Sequence, residues 1–354
     1  MATDLARLDR ERSMAPEHLC GRDDLGFTHL ELIDRQAQDA HRYRLFDSFP
    51  NQDWYHPPFD GEEMWETFEN LTHARPDYAG LAMDRTRIMG IVNVTPDSFS
   101  DGGSFDSVTA AIDHALRLAD EGADILDIGG ESTRPGSDTV PLEEELRRVM
   151  PVLEGLRPRT KARISVDTRK AEVMRRAAAA GADILNDVSA LTHDPAALET
   201  AAATGLPIML MHAQGDPKTM NVDPQYADVV LDVFDFLAER IAAAVAAGIP
   251  KSHIVADPGI GFGKHLHHNV AVLSGMALYH GLGVPILLGA SRKKLIGQIC
   301  NVDDPKARVP GSLAAALSSV VQGVQIVRVH DVAATRQAVA VFDAAMKGRE
   351  PPRA

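Results

Sequence analysis

The sequence predicts a (βα)8 TIM barrel with an N-terminal extension of helix and irregular structure. From Arg87 onward, apolar runs rich in β-branched residues alternate with helical segments, as in a buried parallel sheet. Eight such units occupy about 260 residues, the usual size of a closed barrel. The alternative is an open, doubly wound sheet, but no Gly-x-Gly-x-x-Gly sequence follows an early strand. The number of units therefore favours closure.

The first 85 residues differ from the rest of the chain and form the predicted extension. They hold ten of the eighteen aromatic residues, 18 acidic side chains against nine arginines, and no lysine. Apolar residues from Phe27 to Ala37 recur at helical spacing, which predicts a helix over 27–44, and the proline-rich stretch after it predicts irregular structure. We expect residues 1–85 to be an arm that packs its aromatic side chains on the main domain or on a partner subunit. A lid over the site is the alternative.

Residues 86–348 form the predicted barrel, and residues 349–354 form a C-terminal tail. The predicted strands are 88–94, 125–129, 164–167, 184–188, 207–212, 254–257, 285–289 and 326–330. The predicted helices are 108–121, 142–156, 170–180, 195–203, 226–247, 269–279, 311–323 and 332–346. Gly122, Gly181 and Gly248 stand where a helix should stop before the next strand, which is the usual position of a C-terminal glycine.

Composition excludes several classes of protein. The formal net charge of −14 and the pI near 5.4 argue against a nucleic-acid partner, which requires a basic face. The two cysteines, Cys20 and Cys300, lie far apart and predict neither a disulfide framework nor a zinc site. No apolar run approaches the roughly 20 residues of a membrane span, and the N-terminus lacks the apolar core of a signal peptide. We therefore expect a cytoplasmic protein without a membrane partner.

Polar side chains follow every predicted strand, at the end where barrel enzymes carry their active sites. Acids and amides follow strands 1, 2, 3, 4 and 6: Asn93, Asp127, Asp167, Asn186 and Asp257. Cationic side chains follow strands 7 and 8: Lys293, Arg328 and His330. A ring of carboxylates suits a flat, nitrogen-rich heterocycle, and the cations suit a phosphate or pyrophosphate. Each aspartate taken singly is better explained as a helix N-cap, and only the ring as a whole favours a ligand site. His330 alone fits a structural histidine equally well, but Arg328 two residues away on the same strand face favours a ligand contact.

Three further features of the strand ends bear on ligands. Asn93, with Asp97, Asp101 or Asp167, is a candidate oxygen ligand for a Mg²⁺ that bridges a pyrophosphate. The glycines between Asp257 and Lys264 let the backbone approach a ligand, and Phe262 is placed to stack on a planar one. His212 is predicted to be a core histidine, and the sequence HLHH at 265–268 is predicted to be a solvated loop leading into a helix.

Eight of these segments, taken in order, resemble the strand-end motifs of the dihydropteroate synthases. They are NVTPDSFSDGG (93–103), DIGGESTRPGS (127–137), SVDT (165–168), NDVS (186–189), LMH (210–212) with GDPKTM (215–220), DPGIGFGK (257–264), GASRK (289–293) and RVHDV (328–332). The resemblance covers roughly residues 86–346, and eight motifs in family order are far more specific than one. The first 85 residues have no counterpart in it.

The resemblance implies a transferase that joins 6-hydroxymethyl-7,8-dihydropterin pyrophosphate to p-aminobenzoate, releasing pyrophosphate and 7,8-dihydropteroate. It assigns the pterin ring to Asp167, Asn186, Asp257 and Lys293, with Met211 and Phe262 lining it, and Asp127 and Gly289 are further candidate substrate-binding residues. It assigns the pyrophosphate and its Mg²⁺ to Asn93, Arg328 and His330, and the aminobenzoate to Thr133, Arg134 and Ser291. The loops at 97–105, which carries Asp97 and Asp101, and at 130–138 are expected to close over the reacting carbon.

The resemblance also implies a homodimer and inhibition by sulfonamides. Two other functions stay open on the same fold. A methyltetrahydrofolate-binding methyltransferase shares the acid ring but needs neither the segment from Ser291 to Lys293 nor the pair Arg328 and His330. A non-catalytic pterin-binding protein predicts the loss of Asn93, Arg134 or Lys293, and all three are present.

Overall fold

The structure is a computed structural model of the 354-residue chain. It describes residues 17–22, 24–27, 30–34, 41–45, 62–94, 104–132, 136–215, 218–220 and 222–348. Within these residues, none of the helices combines the length and the apolar character required to span a membrane.

The described part of the extension contains two short antiparallel strand pairs and one helix. They are β1 (Glu17–His18) with β2 (Gly26–Phe27), β3 (Leu30–Asp34) with β4 (His41–Leu45), and α1 (Glu62–Thr72). The helix predicted over 27–44 is therefore wrong. The sequence of both strands also alternates between apolar and charged residues, and the register places Leu32 opposite Tyr43 and Glu31 opposite Arg44. Alternation is the period of a strand, and in this segment it outweighs the weaker helical spacing.

The barrel prediction is confirmed. Its eight strands are β5 (Arg87–Asn93), β6 (Ile125–Gly129), β7 (Arg163–Asp167), β8 (Ile184–Asp187), β9 (Ile208–Met211), β10 (Ile254–Asp257), β11 (Leu287–Leu288) and β12 (Ile326–Val329). All neighbours are parallel, in the order β10-β9-β8-β7-β6-β5-β12-β11. A parallel bridge between Ala256 and Ile286 joins the two ends of this order and closes the ring.

The helices of the barrel alternate with these strands. They are α2 (Ser104–Asp120), α3 (Leu142–Leu156), α4 (Ala171–Ala179), α5 (Ala197–Thr204), α6 (Val229–Ala246), α7 (Leu266–Ser274), α8 (Lys294–Cys300), α9 (Val309–Val320) and α10 (Val332–Lys347). The helix predicted over 269–279 divides at Gly275 into α7 and a 3-10 helix at Met276–Leu282. Helix α8 was not predicted.

The HLHH sequence is not a solvated loop, because helix α7 begins inside it at Leu266. His265 is the N-cap residue, and its side chain accepts the backbone N–H of His268, whose own ring accepts the N–H of His265 at 3.2 Å. Two histidines thus form the reciprocal pair of bonds that usually involves Ser or Thr with Glu or Gln. The capping role explains the clustering of these histidines without a metal.

Inward-facing residues change from apolar to polar along the strands. The lower layer is fully buried and includes Met89, Ile125, Ile184, Met209, Val255, Leu287 and Ile326. Two residues further along four of these strands, on the same inward face, stand Asp127, Asn186, Asp257 and Arg328. We call the apolar end the floor of the barrel and the polar end its mouth. The period of two therefore places all four polar side chains inside the mouth.

The extension closes the floor. Tyr78 and Met83 are buried against the lower layer, and a bridge between Tyr78 and Leu81 folds this segment into a plug. Helix α1 lies beside the 3-10 helix, where Asn70 Nδ2 donates to the Gly281 carbonyl at 3.0 Å and Arg75 Nη2 to that of His280 at 2.9 Å. The segment 78–83 thus belongs to the barrel interior although it precedes residue 86. The contacts of α1 and of the segment 78–83 lie at the floor, and the choice between an arm and a lid for residues 1–85 stays a prediction.

Two identical arrangements hold neighbouring strands together at the floor. Asp124 Oδ2 accepts the backbone N–H of Ile88 at 2.9 Å, and Asp183 Oδ2 accepts that of Ile164 at 2.8 Å. Each aspartate ends a Gly-Ala-Asp sequence whose glycine has a positive φ, and each also pairs with the arginine that precedes the isoleucine, Arg87 or Arg163. The glycines stop the helices as predicted, and the aspartates fix the start of two strand pairs.

Candidate active site

The predicted acid ring is assembled in the mouth. Asp127 is fully buried, and Asp167, Asn186 and Asp257 are each less than a tenth exposed. Asn186 Nδ2 donates to Asp127 Oδ2 at 3.2 Å, while Asp127 Oδ1 has no hydrogen-bond partner among the described residues. A buried carboxylate oxygen with an unused lone pair is ready to accept an N–H donor from a ligand.

Arg328 lies among the acids rather than on a separate cationic side. Its Nε donates to Asp127 Oδ2 at 2.6 Å and its Nη2 to Asp167 Oδ2 at 3.0 Å. The sequence predicted acids and cations in separate groups because it assigned each residue to its own strand. The arginine side chain is long enough to cross the mouth from β12, and two buried carboxylates attract it. In this state the guanidinium occupies part of the acid ring.

Burial and crowding disturb the protonation of these groups. Burial, and then the neighbouring Asp127, raises the pKa of Asp167 to about 8, with Arg328 acting in the opposite direction. Burial also raises the pKa of Asp257, against the opposing effect of Lys293. Burial lowers the pKa of Arg328, but Asp127 and Asp167 together outweigh it and raise the net value. Perturbed pKa values of this kind are typical of functional sites.

Ser291 and His330 form a second hydrogen-bonded unit. The backbone N–H of His330 donates to Ser291 Oγ at 3.1 Å, and Oγ lies 3.0 Å from His330 Nδ1. The Oγ–Nδ1 bond is compatible with either atom as donor, because a hydroxyl has one donor and two acceptor sites. The two bonds hold the His330 ring in place at the mouth end of β12.

Lys293 bridges the acids and the glycine-rich loop. Its Nζ donates to the Ile260 carbonyl and lies 4.6 Å from the centre of the Phe262 ring, a cation–π contact. Burial lowers the pKa of Lys293 to about 8, with Asp257 opposing the shift. A Cβ at Gly289 would lie 3.7 Å from the Lys293 amine and 3.8 Å from Asp257 Oδ2. Glycine at that position leaves room between the lysine and the carboxylate.

The remaining predicted residues are only partly described. Asn93 is half-buried at the end of β5, and Met211 is buried at the end of β9. Asp97, Asp101, Thr133 and Arg134 lie outside the described residues. Beside Phe262, a cavity of about 360 Å³ is lined by residues that include Arg169, Ser189, His193 and Met220. The mouth therefore continues past Phe262 toward the ends of β8 and β9.

The loop that leaves β6 is held by a buried charge cluster that the sequence analysis missed. Glu131 pairs with Arg169 and Lys170, and Lys170 also pairs with the fully buried Glu145. Thr168 Oγ1 donates to Glu145 at 2.6 Å. These residues fall within or beside the recognised motifs, so proximity to a motif was the available signal. The cluster fixes the start of the loop that carries the predicted aminobenzoate residues.

Comparison with known proteins places this site in a family. The model of the pterin-binding enzyme family matches residues 89–330. The dihydropteroate synthase of Escherichia coli K12 is 49% identical over 273 residues, which cover 77% of this chain and 96% of that relative. The crystal structure of Xanthomonas albilineans dihydropteroate synthase with 4-aminobenzoic acid is 54% identical, with a TM-score of 0.72 and coverage of 77% and 97%. That of the Yersinia pestis enzyme in a sulfonamide complex is 47% identical, with a TM-score of 0.73 and coverage of 77% and 99%.

A match over more than half of the chain makes the protein a pterin-binding enzyme. The named relatives are about half identical to this chain, which covers almost their full length. All of them are dihydropteroate synthases. The chain belongs to the dihydropteroate synthase family of transferases, as the eight motifs predicted.

Proposed function

We propose that this chain catalyses the reaction of its family. The amine of p-aminobenzoate displaces pyrophosphate from 6-hydroxymethyl-7,8-dihydropterin pyrophosphate, which gives 7,8-dihydropteroate. The observation that carries the proposal is the mouth itself, where Asp127, Asp167, Asn186 and Asp257 face Lys293 and Arg328 within hydrogen-bonding reach of one another or of a shared ligand. One substrate has both a nitrogen-rich ring and a pyrophosphate, so it fits both kinds of group.

The acid ring binds the pterin in this proposal. The amino and ring N–H groups of a pterin are donors, and buried carboxylates accept paired donors well. Asp127 Oδ1 has an unused acceptor site, and Asp257 keeps one oxygen after Oδ1 accepts the Gly259 N–H at 2.8 Å. Met211 and Phe262 supply apolar walls for the ring faces.

Arg328 changes partners when the substrate binds. In the described state it neutralises Asp127 and Asp167. Once pterin donors satisfy Asp167, the guanidinium can turn to the pyrophosphate beside His330. Binding the ring thus releases the cation that binds the leaving group. This exchange couples recognition of the two halves of one substrate.

Catalysis follows from positioning and electrostatics. The carbon–oxygen bond to pyrophosphate breaks first, because the conjugated dihydropterin delocalises the positive charge left on its methylene carbon. Arg328 and His330 stabilise the charge that develops on the departing oxygens. The aromatic amine of p-aminobenzoate is already neutral at pH 7 and attacks the methylene carbon without a strong general base. The acidic ammonium that forms then loses its extra proton to water, which gives 7,8-dihydropteroate. Orientation of the two substrates supplies most of the remaining acceleration.

Asn93 fits a Mg²⁺ that accompanies the pyrophosphate. Within the residues the structure describes, no group of three or more His, Cys, Asp or Glu is arranged to hold a metal ion. Magnesium commonly takes one or two protein oxygens and completes its shell with phosphate oxygens and water, so a single amide oxygen at the strand end is compatible with it. When bound there, Mg²⁺ would neutralise charge on the leaving pyrophosphate.

A pyrophosphate-release assay tests the proposal. The purified chain is incubated with the dihydropterin pyrophosphate and Mg²⁺, with and without p-aminobenzoate, and dihydropteroate is measured in parallel. We expect release to depend on p-aminobenzoate and to match product one to one. Tight pterin binding without turnover would instead support the non-catalytic pterin-binding protein. Methyl transfer from methyltetrahydrofolate would support the methyltransferase alternative.

Inhibition and assembly extend the same proposal. We expect sulfonamides to compete with p-aminobenzoate, and an apparent KM for p-aminobenzoate that does not rise with sulfonamide concentration would contradict this. The homodimer and the cytoplasmic location expected from the sequence remain predictions. Light scattering of the purified chain measures the first, and fractionation of the native cells measures the second.

A further inference from the structure

Lys264 is a buried lysine that touches neither proposed substrate. It ends the glycine-rich loop after β10, and it is only 4% exposed. The loop passes through three left-handed positions, at Gly259, Gly261 and Gly263. It is also packed tightly, because a Cβ at Gly259 would lie 1.9 Å from the His212 carbonyl oxygen. Within the loop the Phe262 N–H donates to the Gly259 carbonyl at 3.2 Å, and the side chains of Asp257 and Asn269 accept the N–H groups of Gly259 and Gly261. The remaining carbonyls require donors from other side chains.

The amine of Lys264 lies behind the loop and is fully engaged. Its Nζ donates to the carbonyls of Gly259 at 3.0 Å and Phe262 at 3.1 Å, and it lies 2.8 Å from His212 Nδ1. Carbonyl oxygens only accept, and an ammonium has three N–H donors and no acceptor. The three contacts therefore match a protonated lysine beside a neutral His212. Burial lowers the pKa of His212 to about 2, which is consistent with a neutral ring.

A second lysine bonds the same loop. Lys293 donates to the Ile260 carbonyl, so the carbonyls of residues 259, 260 and 262 all accept from lysines. The two lysines thus hold different carbonyls of one short segment, which also carries Phe262. A buried ammonium is costly unless its hydrogen bonds are complete. Burial lowers the pKa of Lys264 to about 7, with Asp257 opposing the shift.

We infer that Lys264 is a positioning residue that fixes the carbonyls of the glycine-rich loop and thereby sets the Phe262 ring against the pterin. The inference rests on the proposed function, because it assumes that Phe262 lines the pterin. It assigns no chemical step to Lys264. Its effect on the reaction passes through the loop and through the Phe262 ring.

A double-mutant cycle tests the inference. The dissociation constant of 6-hydroxymethyl-7,8-dihydropterin is measured for the full chain and for Lys264→Met, Phe262→Ala and the double variant. We expect Lys264→Met to weaken binding about tenfold in the parent and less than about twofold in the Phe262→Ala background, since coupled residues are not additive. Lys251→Met, on the floor side beside Glu66, is the matched control and should leave the constant unchanged. Equal factors in both backgrounds would overturn the inference.

Amide hydrogen exchange gives an independent readout. Lys264→Met should accelerate exchange in the segment from Gly259 to Gly263 and leave the floor strands unchanged. If Lys264→Met does not fold, His212→Phe removes one of the three acceptors and should move both readouts in the same direction by about threefold. If the folded Lys264→Met variant shows unchanged pterin binding and unchanged amide exchange, Lys264 does not position the loop. A parent chain that fails to bind the pterin would instead refute the proposed function, and the exchange result would still decide the role of Lys264.

Discussion

The floor and the mouth of the barrel are built from the same eight strands but differ in what they bury. The floor encloses Tyr78, Met89 and Ile125 in an apolar layer. The mouth encloses Asp127, which has an oxygen without a hydrogen-bond partner among the described residues, and Asp167, whose pKa is raised by burial. On four strands the change from apolar to polar occurs within two residues. Apolar burial stabilises the fold, and crowded charges oppose it but prepare a ligand site. Stability and function are therefore separated along the barrel axis.

The largest effect should follow the loss of the mouth cation. Arg328→Ala should lower kcat/KM for the dihydropterin pyrophosphate about 1000-fold, because it removes a charge that stabilises the leaving pyrophosphate. Steady-state kinetics measure this. Binding of 6-hydroxymethyl-7,8-dihydropterin, which lacks the pyrophosphate, should change far less. If Arg328→Ala weakened both ligands equally, Arg328 would act on the pterin ring alone. The proposed exchange of Arg328 from the carboxylates to the pyrophosphate would then be wrong.

A truncation at the other end of the barrel tests the role of the floor in stability. Tyr78→Ala should lower the free energy of unfolding by about 3–5 kcal/mol, since it leaves a cavity in the lower layer. Chemical denaturation measures the loss, and kcat/KM of the folded fraction should stay near that of the parent. Tyr78→Phe is the matched control: the buried hydroxyl has no hydrogen-bond partner among the described residues, so its removal should not destabilise the chain. A stable Tyr78→Ala variant would show that the plug is dispensable.

The pH dependence of pterin binding tests the mouth more finely. Asp167 accepts pterin donors only when ionised, and its pKa is raised to about 8 by burial and Asp127. Affinity for 6-hydroxymethyl-7,8-dihydropterin should therefore rise by up to about tenfold per pH unit toward pH 8 and then level off. Titration calorimetry measures it. Asp127→Asn removes a neighbouring charge, so the inflection should move to lower pH.

The same shift has an opposite consequence for stability. The folded pKa of Asp167 lies above its ordinary value of 3.8, so the protonated acid favours the folded state. This contribution is complete below about pH 4 and is lost as the pH rises through the folded pKa near 8. Urea unfolding of Asp167→Asn should show a weaker loss of stability over this window than the parent. If the free energy of unfolding changed with pH in the same way for the parent and Asp167→Asn, the pKa of Asp167 would not be raised in the folded state.

The smallest effect concerns the contact between the extension and the floor. Asn70→Ala removes the bond from Asn70 Nδ2 to the Gly281 carbonyl and should lower the free energy of unfolding by about 1 kcal/mol. Activity should not change, because the contact lies at the end remote from the mouth. Thermal unfolding and the pyrophosphate assay together measure the two quantities. A fall in activity at unchanged stability would connect the extension to catalysis.

Much of the difference between the apolar floor and the polar mouth could be predicted from the sequence. The strands of the barrel are short apolar runs with polar residues near their ends, which is why Asp127 and Asp257 could be assigned to the end of the barrel where the structure has them. The period of two along a strand carries that information in the local sequence. The hairpin of β3 and β4 was missed because a short apolar pattern fits both periods, and the pairing of Leu32 with Tyr43 decides between them only in three dimensions.

The contacts of long charged side chains were harder to predict from the sequence. Arg328 was assigned to a cationic group by its strand, but its guanidinium reaches Asp127 on a strand two positions away in the ring. Lys264 stood within a quoted motif and received no role, because nothing in the residue type shows that its amine turns back beneath the loop. The partners of a long charged side chain depend on the balance of burial and charge in the folded site, and a local sequence pattern does not contain that information.

The two Gly-Ala-Asp arrangements at the floor bear on how much the barrel segments can vary. Asp124 is 36 residues from Ile88 and Asp183 is 19 residues from Ile164, yet both aspartates make the same bonds to a strand and to the arginine before it. The same joint therefore closes segments of different length. The length of a segment between such joints can change without altering how its two ends are held.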